Sequence, residues 1–266
     1  MSRLASVFKA CKAEGRAALV GYLTAGDPDL ETSEALLMSL AEQVDVLEIG
    51  MPFSDPMADG PVIQAASERA LSAGTHIQDV FALAARVRAR FPALGIVLMG
   101  YANTPYSMGF DVFANKAVEA GVDGVLLVDI PPEEASICED VFKARGLEQI
   151  FLLSPTSSES RIKLVCTHAR GFIYYVSLTG ITGADMGSLQ SVQEQLAMIR
   201  RYTDLPVCVG FGVKTPEQAQ GVAALADGVV VGCHFVMQIT DHADHPGMML
   251  DALSRSAAAM RATVAS

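Results

Sequence analysis

The stretch of the chain that points to its architecture runs Val44-Asp-Val-Leu-Glu-Ile-Gly-Met-Pro-Phe-Ser-Asp-Pro-Met-Ala-Asp-Gly60. It begins with an apolar run, the pattern of a strand buried on both faces of a parallel sheet, and Glu48 lies inside that run. Because water is excluded from such a strand, we expect the pKa of Glu48 to rise towards neutrality, which suits a general acid or base. A structural glutamate paired with an arginine or a backbone donor is the alternative. The loop that follows adds two more carboxylates, Asp55 and Asp59.

Short β-branched runs alternate with longer segments of helical period along the whole chain. The predicted strands number eight and cover residues 18–24, 45–50, 95–100, 123–128, 149–153, 171–176, 206–210 and 227–232. Eight continuously apolar strands that alternate with helices predict an α/β fold, a closed (β/α)8 TIM barrel. Further helices are predicted at 2–13, at the N-terminus, and at 78–90, after strand 2. We expect residues 1–266 to form a single domain; a doubly wound open sheet is the alternative fold.

Composition limits the classes of function. The chain has 266 residues, 51% of them hydrophobic and 18% charged, with a formal net charge of -11. Such acidity argues against binding to nucleic acid or to an anionic membrane. The five cysteines are odd in number and widely spaced, so we predict reduced thiols and no metal site. With no apolar signal segment or membrane span in evidence, we expect a cytoplasmic protein.

The polar residues cluster where a barrel would hold its active site, at the carboxyl ends of the strands. Glu48, Asp59 and Tyr174 fall there, as do glycine-containing segments at 180–183, 210–212 and 231–234. Glycines let backbone N–H groups approach an anion closely, and a short helix predicted to begin near Cys233 adds its positive end. Three such loops in succession predict a phosphate site.

Together, these residues resemble the motifs of the tryptophan synthase α subunit family. The segment Pro52-Phe-Ser-Asp-Pro-Met-Ala-Asp-Gly-Pro61, with Glu48 four residues ahead of it, carries the resemblance. The family's other motifs follow in the same order, at residues 24–28, 101–103, 128–131, 180–183 and 210–212. The resemblance covers roughly residues 4 to 262, nearly all of the chain.

The resemblance implies a lyase that cleaves indole-3-glycerol phosphate into indole and glyceraldehyde 3-phosphate by retro-aldol chemistry. Glu48 matches the family's catalytic glutamate, the general acid and base, and Asp59 matches the aspartate that accepts the indole N–H. Tyr174 is implied to position the carboxylates, and Thr182 to close its loop over Asp59. The residues implied to form the apolar slot for the indole ring are Tyr22, Met99, Leu126 and Phe211.

The implied phosphate site departs from the family pattern. The backbone amides expected to hold the phosphate are those of Gly183, Gly212, Gly232 and Cys233. Where a Gly-Ser pair is usual, this chain has Gly232-Cys233 followed by His234, so a hydroxyl donor is lost. His234 either compensates as a cation or is an ordinary residue of the first helical turn.

The family also implies a partner. Its α subunit binds a β subunit that carries pyridoxal phosphate, in an α2β2 heterotetramer for tryptophan biosynthesis; no cofactor is expected in this chain. The residues that match the contact positions are Asp55, Pro56, Asn103, Asp129 and Pro131. Two alternatives remain: a degenerate α-like subunit that mainly binds and activates a β partner, and another phosphate-substrate barrel of the same pathway.

Overall fold

The computed structural model describes residues 2–177, 186–210, 212–243 and 245–264. Within these residues, eight parallel strands pair in sequence order, and the first pairs with the last to close a barrel. The strands are β1 (Ala18–Thr24), β2 (Val46–Gly50), β3 (Gly95–Gly100), β4 (Gly124–Leu127), β5 (Glu148–Leu153), β6 (Ile173–Val176), β7 (Val207–Gly210) and β8 (Gly228–Val231). The predicted TIM barrel is confirmed, and each predicted strand agrees with the observed one to within two residues at either end.

Helices surround the barrel. They are α1 (Arg3–Ala13), α2 (Leu30–Ala41), α3 (Pro61–Ser72), α4 (Ile77–Arg90), α5 (Asn103–Met108), α6 (Phe110–Glu119), α7 (Glu139–Ala144), α8 (Glu159–His168), α9 (Met186–Ile199), α10 (Pro216–Ala223), α11 (Cys233–Thr240) and α12 (Pro246–Val264). A 3₁₀ turn, Pro132–Ile137, precedes α7. None of the described helices is long and apolar enough to cross a membrane.

The extra helices expected at the N-terminus and after strand 2 are present. The segment 78–90 corresponds to α4, but α3 also lies between β2 and β3, and the sequence did not predict it. The buried residues of α3 are Ile63, Ala66, Ser67 and Ala70. Three of these four are small, so the helical period of apolar residues is faint.

One buried cluster fills the barrel, and α1 closes its N-terminal end. Leu4 and Phe8 of α1 are buried together with inward-facing strand residues such as Val20 and Val97. The strands begin with glycine where α1 approaches: a Cβ on Gly95 would lie 2.8 Å from Leu4 Cδ2. A second, larger cluster lies between the strands and the outer helices.

An aspartate stands directly before three of the strands and ties each one to its neighbour. One carboxylate oxygen accepts a backbone N–H from the start of the preceding strand, and an arginine binds the same side chain. The residues are Asp45 with Arg16, Asp123 with Arg88, and Asp227 with Arg200. These bonds brace the N-terminal end of the barrel, which leaves the opposite end for the loops.

Candidate active site

Glu48 lies in the middle of β2 with its side chain inside the barrel. The residue is 1% exposed, and among the described residues neither carboxyl oxygen has a hydrogen-bond partner. Burial, with a smaller contribution from the nearby charge of Asp59, raises the pKa of Glu48 to about 8. The carboxyl group is therefore protonated at neutral pH and can serve as a proton donor. A structural pairing with an arginine or a backbone donor is not seen in the described part of the chain.

Asp59 lies in the loop between β2 and α3 and is held by Tyr101, which follows β3. The Tyr101 hydroxyl donates to Asp59 Oδ2 over 2.9 Å and accepts the backbone N–H of Ala58 over 3.0 Å. The ring of Phe53 stacks on Tyr101 with centroids 5.1 Å apart. Burial raises the pKa of Asp59, and the Tyr101 hydrogen bond opposes that rise.

The backbone of Asp59 is fixed as well. Its carbonyl oxygen accepts a hydrogen bond of 2.8 Å from Gln64 Nε2, in the first turn of α3. Neither Gln64 nor Tyr101 was singled out from the sequence, although Tyr101 lies in a quoted motif. Its position directly after a strand was the available signal, since the carboxyl ends of the strands meet at one face of the barrel.

Tyr22 stands beside Glu48, because the two residues are register partners on β1 and β2. The Tyr22 hydroxyl is buried and lies 3.1 Å from Thr24 Oγ1, which satisfies it. A Cβ on Gly50 would lie 2.1 Å from that hydroxyl, so the tyrosine requires glycine at this position. The buried Tyr22 ring therefore lies next to Glu48 and helps to exclude water from its carboxyl group.

Tyr174 approaches Glu48 from β6. Burial raises the pKa of this tyrosine, and the charge of Glu48 adds to that effect, which places the two groups within electrostatic reach. Its hydroxyl oxygen would lie 2.7 Å from a Cβ on Gly210 of the adjacent strand. Glu48, Asp59, Tyr22 and Tyr174 are therefore brought together at one end of the barrel.

Met99 and Leu126, two of the predicted slot residues, are register partners on β3 and β4. Leu126 is fully buried and Met99 half-buried within the barrel cluster. Leu152 and Val176 face the same interior on β5 and β6. They also line a cavity of about 500 Å³ beside the loop after β5, which includes neither Glu48 nor Asp59. The sequence did not single out these two residues; alternation along their strands was the available signal.

The predicted anion site is described at two of its three loops. Gly212 adopts φ +84°, a conformation that favours glycine. Gly232 is the N-cap of α11 and Cys233 begins that helix. The Phe235 N–H donates to Gly232 O over 2.9 Å, so the amides of Cys233 and His234 are the first-turn donors without an acceptor one turn earlier in the helix. Burial raises the pKa of Cys233, so its thiol is neutral.

His234 turns away from this loop. Its Nε2 atom lies 2.6 Å from Ser256 Oγ of α12, and burial lowers its pKa. An uncharged imidazole bonded to α12 favours the second interpretation, an ordinary residue of the first helical turn. The predicted site residues Thr182, Gly183 and Phe211 lie outside the described residues.

The predicted partner-contact residues share the rim of this face, in loops after β2, β3 and β4. Asp55, Asn103, Asp129 and Pro131 are exposed, and Pro56 is half-buried. Asp129 Oδ1 accepts the backbone N–H of Ala102 over 2.8 Å, which joins two of the loops. Exposed apolar side chains accompany them: Met57 (81% exposed), Tyr106 (73%) and Ile137 (47%).

A larger cavity, of about 970 Å³, opens at the opposite end of the barrel. It is lined by residues such as Phe8, Lys12 and Pro206 and includes neither Glu48 nor Asp59. Glu48 and Asp59, the two residues predicted to be catalytic, lie in β2 and in the loop after it, towards the C-terminal face. That face, and not the end with the larger cavity, is therefore the candidate active site.

Comparison with known proteins agrees with this geometry. A family model described as Tryptophan synthase alpha chain matches residues 8–265. The chain is 51% identical to the Tryptophan synthase alpha chain of Zymomonas mobilis subsp. mobilis, covering 89% of this chain and 86% of the relative. It is 54% identical to that of Geobacter sulfurreducens, with 89% of each chain covered. The crystal structure of the alpha chain from Legionella pneumophila subsp. pneumophila matches with a TM-score of 0.90 at 40% identity, over 99% of this chain and 97% of that one.

Proposed function

The chain belongs to the tryptophan synthase alpha chain family, and from this membership we propose that it cleaves indole-3-glycerol phosphate into indole and glyceraldehyde 3-phosphate. The observation that carries the proposal is the buried Glu48 carboxyl group. Its pKa is raised to about 8, and it lies close enough to Asp59 to be influenced by the charge of that residue. A carbon–carbon lyase of this kind needs an acid that can also act as a base. Glu48 meets that need at neutral pH.

The proposed reaction moves two protons and breaks one bond. Protonated Glu48 delivers a proton to indole C3, and the resulting carboxylate takes the proton from the hydroxyl on the side-chain carbon attached to C3. The bond between that carbon and C3 then breaks: its electrons return to the ring, and the alcohol becomes the aldehyde. Glu48 ends the cycle protonated.

Asp59 is proposed to stabilise the intermediate. Protonation at C3 places positive charge on the ring nitrogen, and a carboxylate that accepts the N–H lowers the energy of that state. Tyr101 supports this role because its 2.9 Å hydrogen bond favours the charged form of Asp59 and fixes its direction. The Phe53 ring in turn limits the movement of Tyr101.

Substrate binding is proposed to use both ends of the site. The indole ring is placed in the slot of Tyr22, Met99, Leu126 and Phe211, and the phosphate on the amides of Gly183, Gly212, Gly232 and Cys233. The positive end of α11 supports the phosphate position. For Thr182 we propose closure over Asp59, and for Tyr174 alignment of the carboxyl groups.

The proposed partner is a tryptophan synthase β subunit in an α2β2 complex, with pyridoxal phosphate in the partner and no cofactor in this chain. Asp55, Pro56, Asn103, Asp129 and Pro131 are proposed to meet it. The exposed Met57 and Tyr106 side chains on the same rim support a buried contact there. We further propose that residues 1–266 act as one barrel domain in the cytoplasm.

The test is release of indole from indole-3-glycerol phosphate by the purified chain, with equimolar glyceraldehyde 3-phosphate. Added β subunit should raise the rate, because contact at the rim favours the closed arrangement of the Asp59 and Thr182 loops. A chain that binds and activates the β subunit but releases no indole would support the degenerate alternative instead. No observation on this chain favours that alternative, since both carboxyl groups are retained.

A further inference from the structure

Arg69 of α3 joins three elements on the C-terminal face of the barrel. Its Nε and Nη2 atoms donate to the two carboxylate oxygens of Asp27, in the loop after β1, over 2.7 and 2.8 Å. The same Nη2 donates to Thr240 Oγ1, at the end of α11, over 3.2 Å. The Asp27 side chain is wholly buried, whereas that of Arg69 is 28% exposed.

The Asp27 carboxylate is stabilised by its contact with Arg69. Burial raises the pKa of Asp27, and the two-pronged bond and charge of Arg69 oppose that rise. A buried carboxylate held by a single guanidinium depends on that guanidinium. The loop is fixed a second time by the turn after α3, since a Cβ on Gly26 would lie 2.0 Å from Thr75 Oγ1.

The two helices that meet at Arg69 carry the two ends of the active site. Asp59 lies two residues before α3 begins and is tied to its first turn by Gln64. Gly232 and Cys233 lie at the N-terminus of α11. α3 has twelve residues and α11 has eight, so the helices are roughly 18 and 12 Å long. They also pack against one another.

We propose that Arg69 is a positioning residue that sets the spacing between the Asp59 carboxylate and the anion site on α11. This inference rests on the proposed function, in which one substrate is held by Asp59 at its indole end and by α11 at its phosphate end. A shift of α3 against α11 changes that spacing, and a displacement of about 1 Å can cost up to about a hundredfold in rate. The arginine itself touches no reacting atom.

Three variants distinguish a role of Arg69 in the spacing between Asp59 and the anion site from a role in stability alone. Arg69→Met removes the contacts with both Asp27 and Thr240, and Arg69→Lys keeps the charge but loses the two-pronged bond to Asp27. Thr240→Val leaves the Asp27 contact in place and removes the bond from Arg69 to α11, together with the hydroxyl's own 3.4 Å bond to Val236 O. The matched control is Arg86→Met on α4, which breaks a 2.8 Å ion pair with Glu34 of α2 on the outer layer. For each protein we would measure the melting temperature, kcat and KM for indole-3-glycerol phosphate, and the Kd of glycerol 3-phosphate, well below the melting temperature.

Because glycerol 3-phosphate engages only the anion end, its Kd should stay within about twofold of wild type. The kcat/KM of the full substrate should fall by about tenfold or more in Arg69→Met, and less in Thr240→Val. Compared with Arg69→Met, Arg69→Lys should regain more of the wild-type melting temperature than of the wild-type kcat/KM. Arg86→Met should leave kcat/KM unchanged.

Two results would overturn the inference. If Arg69→Met has an unchanged kcat/KM and a lower melting temperature, Arg69 contributes to stability only. If the affinity for glycerol 3-phosphate falls in parallel with kcat/KM, the substitution has damaged α11 locally. Failure of the wild type to cleave the substrate would overturn the proposed function instead, so the two failures are distinguishable.

Discussion

The carboxyl group of Glu48 is shielded from water because β2 is covered on both faces. This burial raises its pKa, and the pKa sets the pH range of the proposed reaction. The acid must begin protonated, so kcat/KM should fall as pH rises through about 8, the pKa that burial gives Glu48. A pH profile of indole release by the isolated chain measures this directly. Asp59→Asn should lower the whole profile and move its alkaline limb to lower pH, because the charge of Asp59 contributes to the raised pKa of Glu48. A rate that stays level from below pH 8 to well above it would contradict this role.

Tyr101 is the residue whose contribution the contacts specify most closely. Tyr101→Phe keeps the stacking on Phe53 but removes the hydroxyl that binds Asp59. A hydrogen bond to a charged group contributes about 1.5–3 kcal/mol, so kcat should fall by about tenfold to a hundredfold. Tyr202→Phe, which removes a hydroxyl bonded to the exposed Glu159, is the control and should leave kcat unchanged. If Tyr101→Phe matches wild type, the tyrosine does not hold Asp59 in the working enzyme.

Among the structural elements, α11 and Gly212 form the described part of the proposed anion site. Cys233→Ser adds one hydroxyl donor and should tighten glycerol 3-phosphate binding by about two- to tenfold, the worth of one net hydrogen bond. Calorimetry would measure the Kd. A gain confined to folding, with unchanged Kd, would place the side chain outside the site.

Gly212→Val should weaken glycerol 3-phosphate binding strongly, because the side chain obstructs the approach of the phosphate. Backbone strain has to be separated from this obstruction, since Gly212 has φ +84°. Gly15→Val is the matched control: its φ is +72° and a Cβ there meets nothing within 4 Å. Equal losses of affinity in the two variants would show that strain, not obstruction, is responsible.

The elements could be predicted where local pattern determines them. Unbroken apolar runs located the strands. The start of α10 is also encoded locally, since Thr215 and Gln218, three residues apart, form a capping box there. The position of α3 was missed because its buried face is mostly alanine and serine. Contacts such as Tyr101 with Asp59 join loops 42 positions apart in the chain. Only the closed barrel brings them together, so no local pattern encodes them.

At the scale of the whole molecule, carboxylates at the N-terminal end of the barrel support stability, whereas Glu48 and Asp59 at the other end are the ones proposed to take part in the chemistry. Asp45 binds Arg16 of the loop before β1 and Arg261 of α12. Burial alone would raise the pKa of Asp45, but the hydrogen bonds from Arg16 and Leu19 and the two guanidinium charges outweigh it and hold the pKa below its ordinary value. The charged form is therefore the stabilising one.

Asp45→Asn should lower the free energy of unfolding by about 3 kcal/mol at neutral pH, because it leaves two arginines without their carboxylate. Since the folded-state pKa is depressed, this stabilisation is complete above the unfolded pKa and is lost as pH falls below about 4. Urea unfolding of both proteins across this range measures the difference. Glu14→Gln, at the exposed partner of Arg16, should leave stability unchanged. A difference that persists undiminished at the lowest pH would rule out the charge as its cause.

The central claim is that this barrel uses Glu48 as its proton donor and acceptor. The most direct measurement is indole release from indole-3-glycerol phosphate by Glu48→Gln, with and without β subunit, alongside wild type. The amide preserves the shape of the side chain and has no transferable proton, so we predict a folded protein that still binds glycerol 3-phosphate and releases no indole. Substantial cleavage by Glu48→Gln in either condition would contradict the account.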